Sequence, residues 1–204
     1  MKTPTEIHLE LSEERVCAVA NVMRERRHAC VINHLAHEGD DGWVLGSRCW
    51  QWIRARLIKL ADGEYKDWLS IVENGKGGSH FVFAIGGVPI RFYRGDPEDV
   101  PPKQIECNQA EDLAMQIAFS FSERKKKREK VETHIRIAVD TDENGEAADI
   151  TLIQVDEDLN LVGDGWVIPK EPLKIKRFLK REEGKDLGKP PIGSRKPKKE
   201  HGEE

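Results

Sequence analysis

No CxxC pair, no HExxH sequence, no GxSxG elbow and no glycine-rich turn leading from a strand into a helix occurs in this chain. These absences remove the usual signatures of paired-cysteine zinc modules, zincin proteases, α/β-hydrolases and dinucleotide-binding folds. No apolar run approaches the 18 or so residues of a membrane span, and the first residues, MKTPTEIHLELSEER, lack the apolar core of a signal peptide. The four cysteines are Cys17, Cys30, Cys49 and Cys107. Cys17 and Cys30 fall on one predicted helix, about 20 Å apart at about 1.5 Å per residue, and so cannot bridge. Reduced thiols of this kind fit a reducing compartment, and the expected location is cytoplasmic, with no membrane partner.

Charge is abundant, at 34% of 204 residues, and unevenly placed. From Lys170 to Glu204 there are 12 basic against 7 acidic residues, a net of +5, which leaves −9 for residues 1–169. The body is acidic and the tail is basic.

Hydrophobic periodicity organises the body. Residues 12–38 read as a long helix, with Ser12 as N-cap, Glu13 and Glu14 in the first turn and Gly39 as the stop. Residues 43–61 form a second helix in which Trp50, Ile53, Leu57 and Leu60 share a face while Arg54, Arg56 and Lys59 point elsewhere. Residues 64–73 are expected to add a short third. After a glycine-rich break the period changes to two: Phe81, Phe83 and Ile85 alternate, as do Val88, Ile90 and Phe92, around Gly86 and Gly87. That is a hairpin. A proline-rich loop follows, then a fourth helix from Gln109 to about Lys127, strands at 132–140 and 149–156, and a last strand at 165–169.

The expected fold is therefore α+β: a mainly antiparallel sheet of about five strands packed against helices, with an N-terminal three-helix segment and a disordered basic C-terminal tail. Residues 1–169 form a single domain, helical over 1–75 and sheet with one helix over 79–169. Residues 170–204 are the tail, a short helix and then a stretch too poor in apolar residues to fold.

Alternation along the hairpin sets Arg91 and Tyr93 opposite the helix-facing residues, with Arg94 at the strand end, and places His134 and Arg136 on the same face. A basic face with an aromatic ring suits phosphate neutralisation and base stacking, provided that it meets water. Arg124, Lys125, Lys126, Lys127 and Arg128 exceed what one helix C-terminus needs to complement its dipole. Lys174, Lys176, Arg177, Lys180 and Arg181 make the tail a second cationic segment.

Other constellations are weaker. Cys30, His34 and His37 share one side of the predicted helix at zinc-ligand spacing but lack a fourth ligand. Asp140, Asp142 and Asn144 begin like a calcium loop, yet strands rather than helices flank it and Thr151 stands where the bidentate glutamate belongs. Neither pattern identifies a metal site, and no cofactor or catalytic residue is assigned. The leading expectation is a non-catalytic intracellular binding protein that contacts nucleic acid or an acidic protein through the sheet face and tail. An accessory or neutralising subunit of a protein complex is the alternative, and a metal-dependent hydrolase or nuclease using Arg91, Asp96 or His134 is the second.

Overall fold

The computed structural model describes residues 2–74, 81–102, 104 and 133–170. The chain divides into two units, Met1–Pro172 and Leu173–Glu204, and the second lies wholly outside the described residues. The fold is α+β, with three α-helices and a six-stranded mixed sheet among the described residues.

A single turn, α1 (Pro4–Ile7), precedes α2 (Glu13–Ile32). The Ser12 side chain accepts a hydrogen bond from the Arg15 N–H, and Glu13 and Glu14 occupy the first turn, as the sequence predicts. The helix ends at Ile32, six residues before the predicted end. Asn33 donates its side-chain amide to the Ala29 carbonyl, and the Asp40 carboxylate accepts from the Leu35 N–H and the Arg48 guanidinium. These local bonds draw the chain into a 3₁₀ turn, Ala36–Glu38, closed by Gly39 at φ +100°. Asp41 then caps α3 (Gly42–Ala61) by accepting from the Val44 N–H.

The predicted third helix is instead a turn followed by β1 (Leu69–Asn74). Leu69 and Ile71 pack on the core at a spacing of two, and they pair with Ile85 and Phe83 of β2 (Phe81–Ile85). A short apolar run suits either period locally, and the open edge of β2 decides for the strand. The predicted hairpin is present: β2 pairs antiparallel with β3 (Val88–Arg94) around Gly86 and Gly87, at φ +60° and +86°. The turn is held close, because a Cβ on Gly86 would lie 2.8 Å from the Glu10 carbonyl oxygen.

The sheet continues through β4 (His134–Thr141), β5 (Ala147–Val155) and β6 (Trp166–Val167), in the order β1-β2-β3-β4-β5-β6. All neighbouring pairs are antiparallel except β3 and β4, which are parallel, with Ile90 beside Ile135 and Arg91 beside Arg136. The sheet is mainly antiparallel, as expected, but it has six strands rather than about five and is mixed, because β3 and β4 are parallel. A parallel pair needs a crossover of a dozen or more residues, and residues 95–133 supply that length. The predicted helix 109–127 lies within this stretch and outside the described residues.

One face of the sheet, with Phe83, Ile85, Ile90, Ile137, Ile150 and Leu152, packs against Val16, Val19, Met23, Ile53 and Leu57 of α2 and α3. Trp50 of α3 seats among sheet aromatics, edge-on to Phe81 at 6.3 Å and stacked on Phe92 at 6.5 Å. Such pairs contribute about 0.5–1.5 kcal/mol each beyond area burial, enough to fix the rotation of α3 about its axis. Buried arginines tie α2 to the far end of the sheet. Arg24 donates to the carbonyls of Ile168 and Pro169 at 2.7 and 2.9 Å, and Arg27 donates to that of Gly145. Arg27, an interruption of the apolar stripe in sequence terms, is thus a buried strut.

Candidate functional site

The opposite face of the sheet gathers Arg91, Tyr93, His134 and Arg136, as alternation predicts. It does not present them to solvent: their exposures are 4, 6, 2 and 0%. Arg91 and Arg136 are register partners across the parallel pair. Arg136 donates to the Ile135 carbonyl at 2.9 Å, and the Tyr93 hydroxyl donates to the Asp96 carbonyl at 3.1 Å. Tyr93 also packs with Ala138, Ile153, Val155 and, from the loops after β3 and β5, Val100 and Leu159. Burial, reinforced by the nearby carboxylates of Asp96 and Asp99, pushes its phenol well above the usual range. A base cannot stack on a ring enclosed in this way. The condition set for that face, that it meets water, is not met by these four residues, each of which is buried. Arg94, at the strand end, is exposed.

Arg124, Lys125, Lys126, Lys127 and Arg128 lie outside the described residues, as do Lys174, Lys176, Arg177, Lys180 and Arg181. The hydrolase candidates are not gathered in an open cleft: Arg91 and His134 are buried while Asp96 is exposed, its carboxylate accepting from the Glu98 N–H. Because α2 stops at Ile32, Cys30, His34 and His37 do not share a helical side. Cys30 is buried, His34 lies 3.7 Å from Asp40, and His37 is exposed beside Glu38. Asp142 turns its carboxylate onto the N–H groups of Asn144 and Glu146 within the β4–β5 hairpin turn, where Gly145 has φ +81°. Among the described residues, no group of three or more His, Cys, Asp or Glu side chains is placed to hold a metal ion.

Among the described residues, the outer side of α3 is an open surface that combines cations with an aromatic ring. Between Gly42 and Ala61 the helix carries Arg48, Arg54, Arg56 and Lys59 and no acidic residue. Trp50 is locked into the core, so Trp52, about 200° further round the helix, must point away from it. Trp52 is 38% exposed, with Gln51, Ala55 and Lys59 exposed and Arg48 and Arg56 half-buried. Arg48, Trp52, Arg56 and Lys59 follow at spacings of four, four and three, which places them along one side. Arg48 is held by Asp40 at 3.0 Å, and Arg54 sits over the Trp50 ring at 5.5 Å. The sequence signal for this surface was the acid-free helix whose cations fall off the apolar stripe. Sequence reasoning places Trp50 on the apolar face with Ile53, Leu57 and Leu60, as the structure has it, but did not draw the consequence that Trp52 stays outside beside the cations.

Among the described residues no helix is long and apolar enough to cross a membrane. No protein-family model, curated protein or solved structure matches the chain.

Proposed function

We propose that this chain is a non-catalytic binding protein for single-stranded nucleic acid, with the outer side of α3 as its structured contact. The observation that carries the reading is an acid-free helix with four cations and an exposed Trp52. Guanidinium and ammonium groups neutralise phosphates, and an exposed indole supplies a face for a base, a contribution of about 1–3 kcal/mol per stacked ring. The basic segments 124–128 and 174–181 add cations that strengthen attraction without specifying sequence. The buried sheet face then has a structural role.

A protein partner is the second reading. Ile32, Leu35 and Trp43 are exposed around the α2–α3 connection, Trp43 by 78%, and apolar side chains of this size are used in protein contacts. Affinity purification of the full chain, with and without nuclease treatment, separates the two. Under the nucleic-acid reading, nuclease releases the co-purifying material. Retention of one stoichiometric protein after nuclease and high salt supports the subunit reading instead.

A further inference from the structure

Cys30, near the end of α2, and Cys49, in the first half of α3, meet across the contact between the two helices. They form a small cluster with Leu45 and Val31, both are buried, and neither is in a disulfide. The two thiols are joined by a hydrogen bond. Three guanidiniums from three elements act on Cys49: Arg27 of α2, Arg94 at the end of β3 and Arg48 of α3. Arg94 lies against α3 just ahead of Cys49, where a Cβ on Gly46 would be 3.6 Å from its Nη1. The other charged group near Arg27 is Glu146, which is hydrogen-bonded to His28 at 2.8 Å. Two thiols in contact, beside positive charge and enclosed by apolar residues, are more than a packing filler requires.

We propose that Cys30 and Cys49 are a peroxide-sensitive dithiol that closes to a reversible disulfide between α2 and α3. This site is independent of the nucleic-acid reading. The two sulfurs have different parts. The hydrogen bond from Cys30, followed by the fields of Arg27, Arg94 and Arg48, brings Cys49 down to about 7 against the opposing effect of burial. Cys30, the hydrogen-bond partner that keeps its proton, is pushed up. The Arg94 guanidinium, packed against α3 just ahead of Cys49, makes Cys49 the attacking thiolate and leaves Cys30 as the resolving thiol.

The oxidant must be small, because a buried sulfur has no room for a bulky mixed disulfide. Hydrogen peroxide meets that condition. The Cys49 thiolate attacks one peroxide oxygen, the O–O bond breaks, and the departing hydroxide takes up the proton that Cys49 had released, giving water and a sulfenic acid. The Cys30 sulfur then attacks the sulfenic sulfur. The S–S bond forms, the S–O bond breaks, and the leaving hydroxide takes the Cys30 proton as a second water. Two thiols are oxidised by two electrons in all, and one peroxide is reduced to two waters. Closure brings the two sulfurs, which share one small cluster, to the S–S length of about 2.0 Å.

The test is peptide mapping of the reduced full chain after hydrogen peroxide treatment and alkylation. The expected result is a fall from four alkylatable cysteines to two, with one cross-linked species joining the Cys30 and Cys49 peptides. Dithiothreitol should restore both thiols, and Cys17→Ala should keep the cross-link. The rate should rise about tenfold per pH unit below about pH 7 and then level, following the Cys49 thiolate. Recovery of Cys30 and Cys49 as separately alkylated peptides, or as separate sulfinic or sulfonic acids, would overturn the proposal.

Discussion

The inner hairpin face and the outer side of α3 are built from the same chemistry, arginines beside an aromatic ring, and the fold uses them in opposite ways. Arg91, Tyr93 and Arg136 are buried on one face of the sheet, whereas Trp52 and Lys59 reach solvent from the helix. Cations and aromatics do not make a binding surface by composition. A guanidinium in a covered layer must satisfy its donors within the protein, as Arg136 does in part at the Ile135 carbonyl. On α3, by contrast, Lys59 and the Trp52 ring reach solvent.

Four substitutions sharpen this contrast. Arg136→Ala removes a fully buried side chain and its charge-assisted bond, and should lower unfolding free energy by about 3 kcal/mol in urea titrations. Next, Trp52→Ala should weaken oligonucleotide binding by about 2 kcal/mol, read by fluorescence anisotropy, while leaving the urea midpoint nearly unchanged. Tyr93→Phe deletes the hydroxyl bond to the Asp96 carbonyl and should cost about 1 kcal/mol of stability at neutral pH, with no loss of binding. Arg94→Ala, on the same strand but exposed, should change stability by less than about 0.5 kcal/mol. Equal costs for Arg136→Ala and Arg94→Ala would erase the distinction between the covered and open parts of β3 and β4.

The Tyr93 phenol gives the covered face a pH signature as well. Its ionisation is raised in the folded state, mainly by burial, so above about pH 10 the unfolded chain binds fewer protons than the folded one. Stability must therefore decline as pH rises through that range. Tyr93→Phe should remove part of the decline, measured as urea midpoints on either side of about pH 10.

The sequence carries the local part of this architecture. The Ser12 cap, the Gly86–Gly87 turn and the alternation of β2, β3, β4 and β5 rest on neighbouring residues, and the strands fall within about two residues of their predicted ends. It does not carry what depends on distant partners. β1 is a strand because β2 offers an edge, and β3 meets β4 in parallel because of where the chain returns. Alternation placed Arg91 and His134 opposite the apolar residues, but a period of two names a face without saying what lies over it. The candidate site was legible to the same depth: the cations of α3 fall off the apolar stripe in the sequence. The same periodicity put Trp50 on the apolar face, and its packing on Phe81 and Phe92 agrees, which leaves Trp52 as the exposed ring. Arg24 and Arg27 were invisible as struts because their acceptors are backbone carbonyls more than a hundred residues away.

The most direct test of nucleic-acid binding through α3 is the salt dependence of single-stranded oligonucleotide affinity for the full chain and its Arg56→Ala/Lys59→Ala variant. Between about 50 and 200 mM salt, wild-type affinity should fall along a linear log–log plot, and the variant's slope should be shallower by about 1.4, about 0.7 for each lost phosphate contact. Identical slopes and affinities for the two proteins, or no binding by wild type at the lower salt, would contradict it.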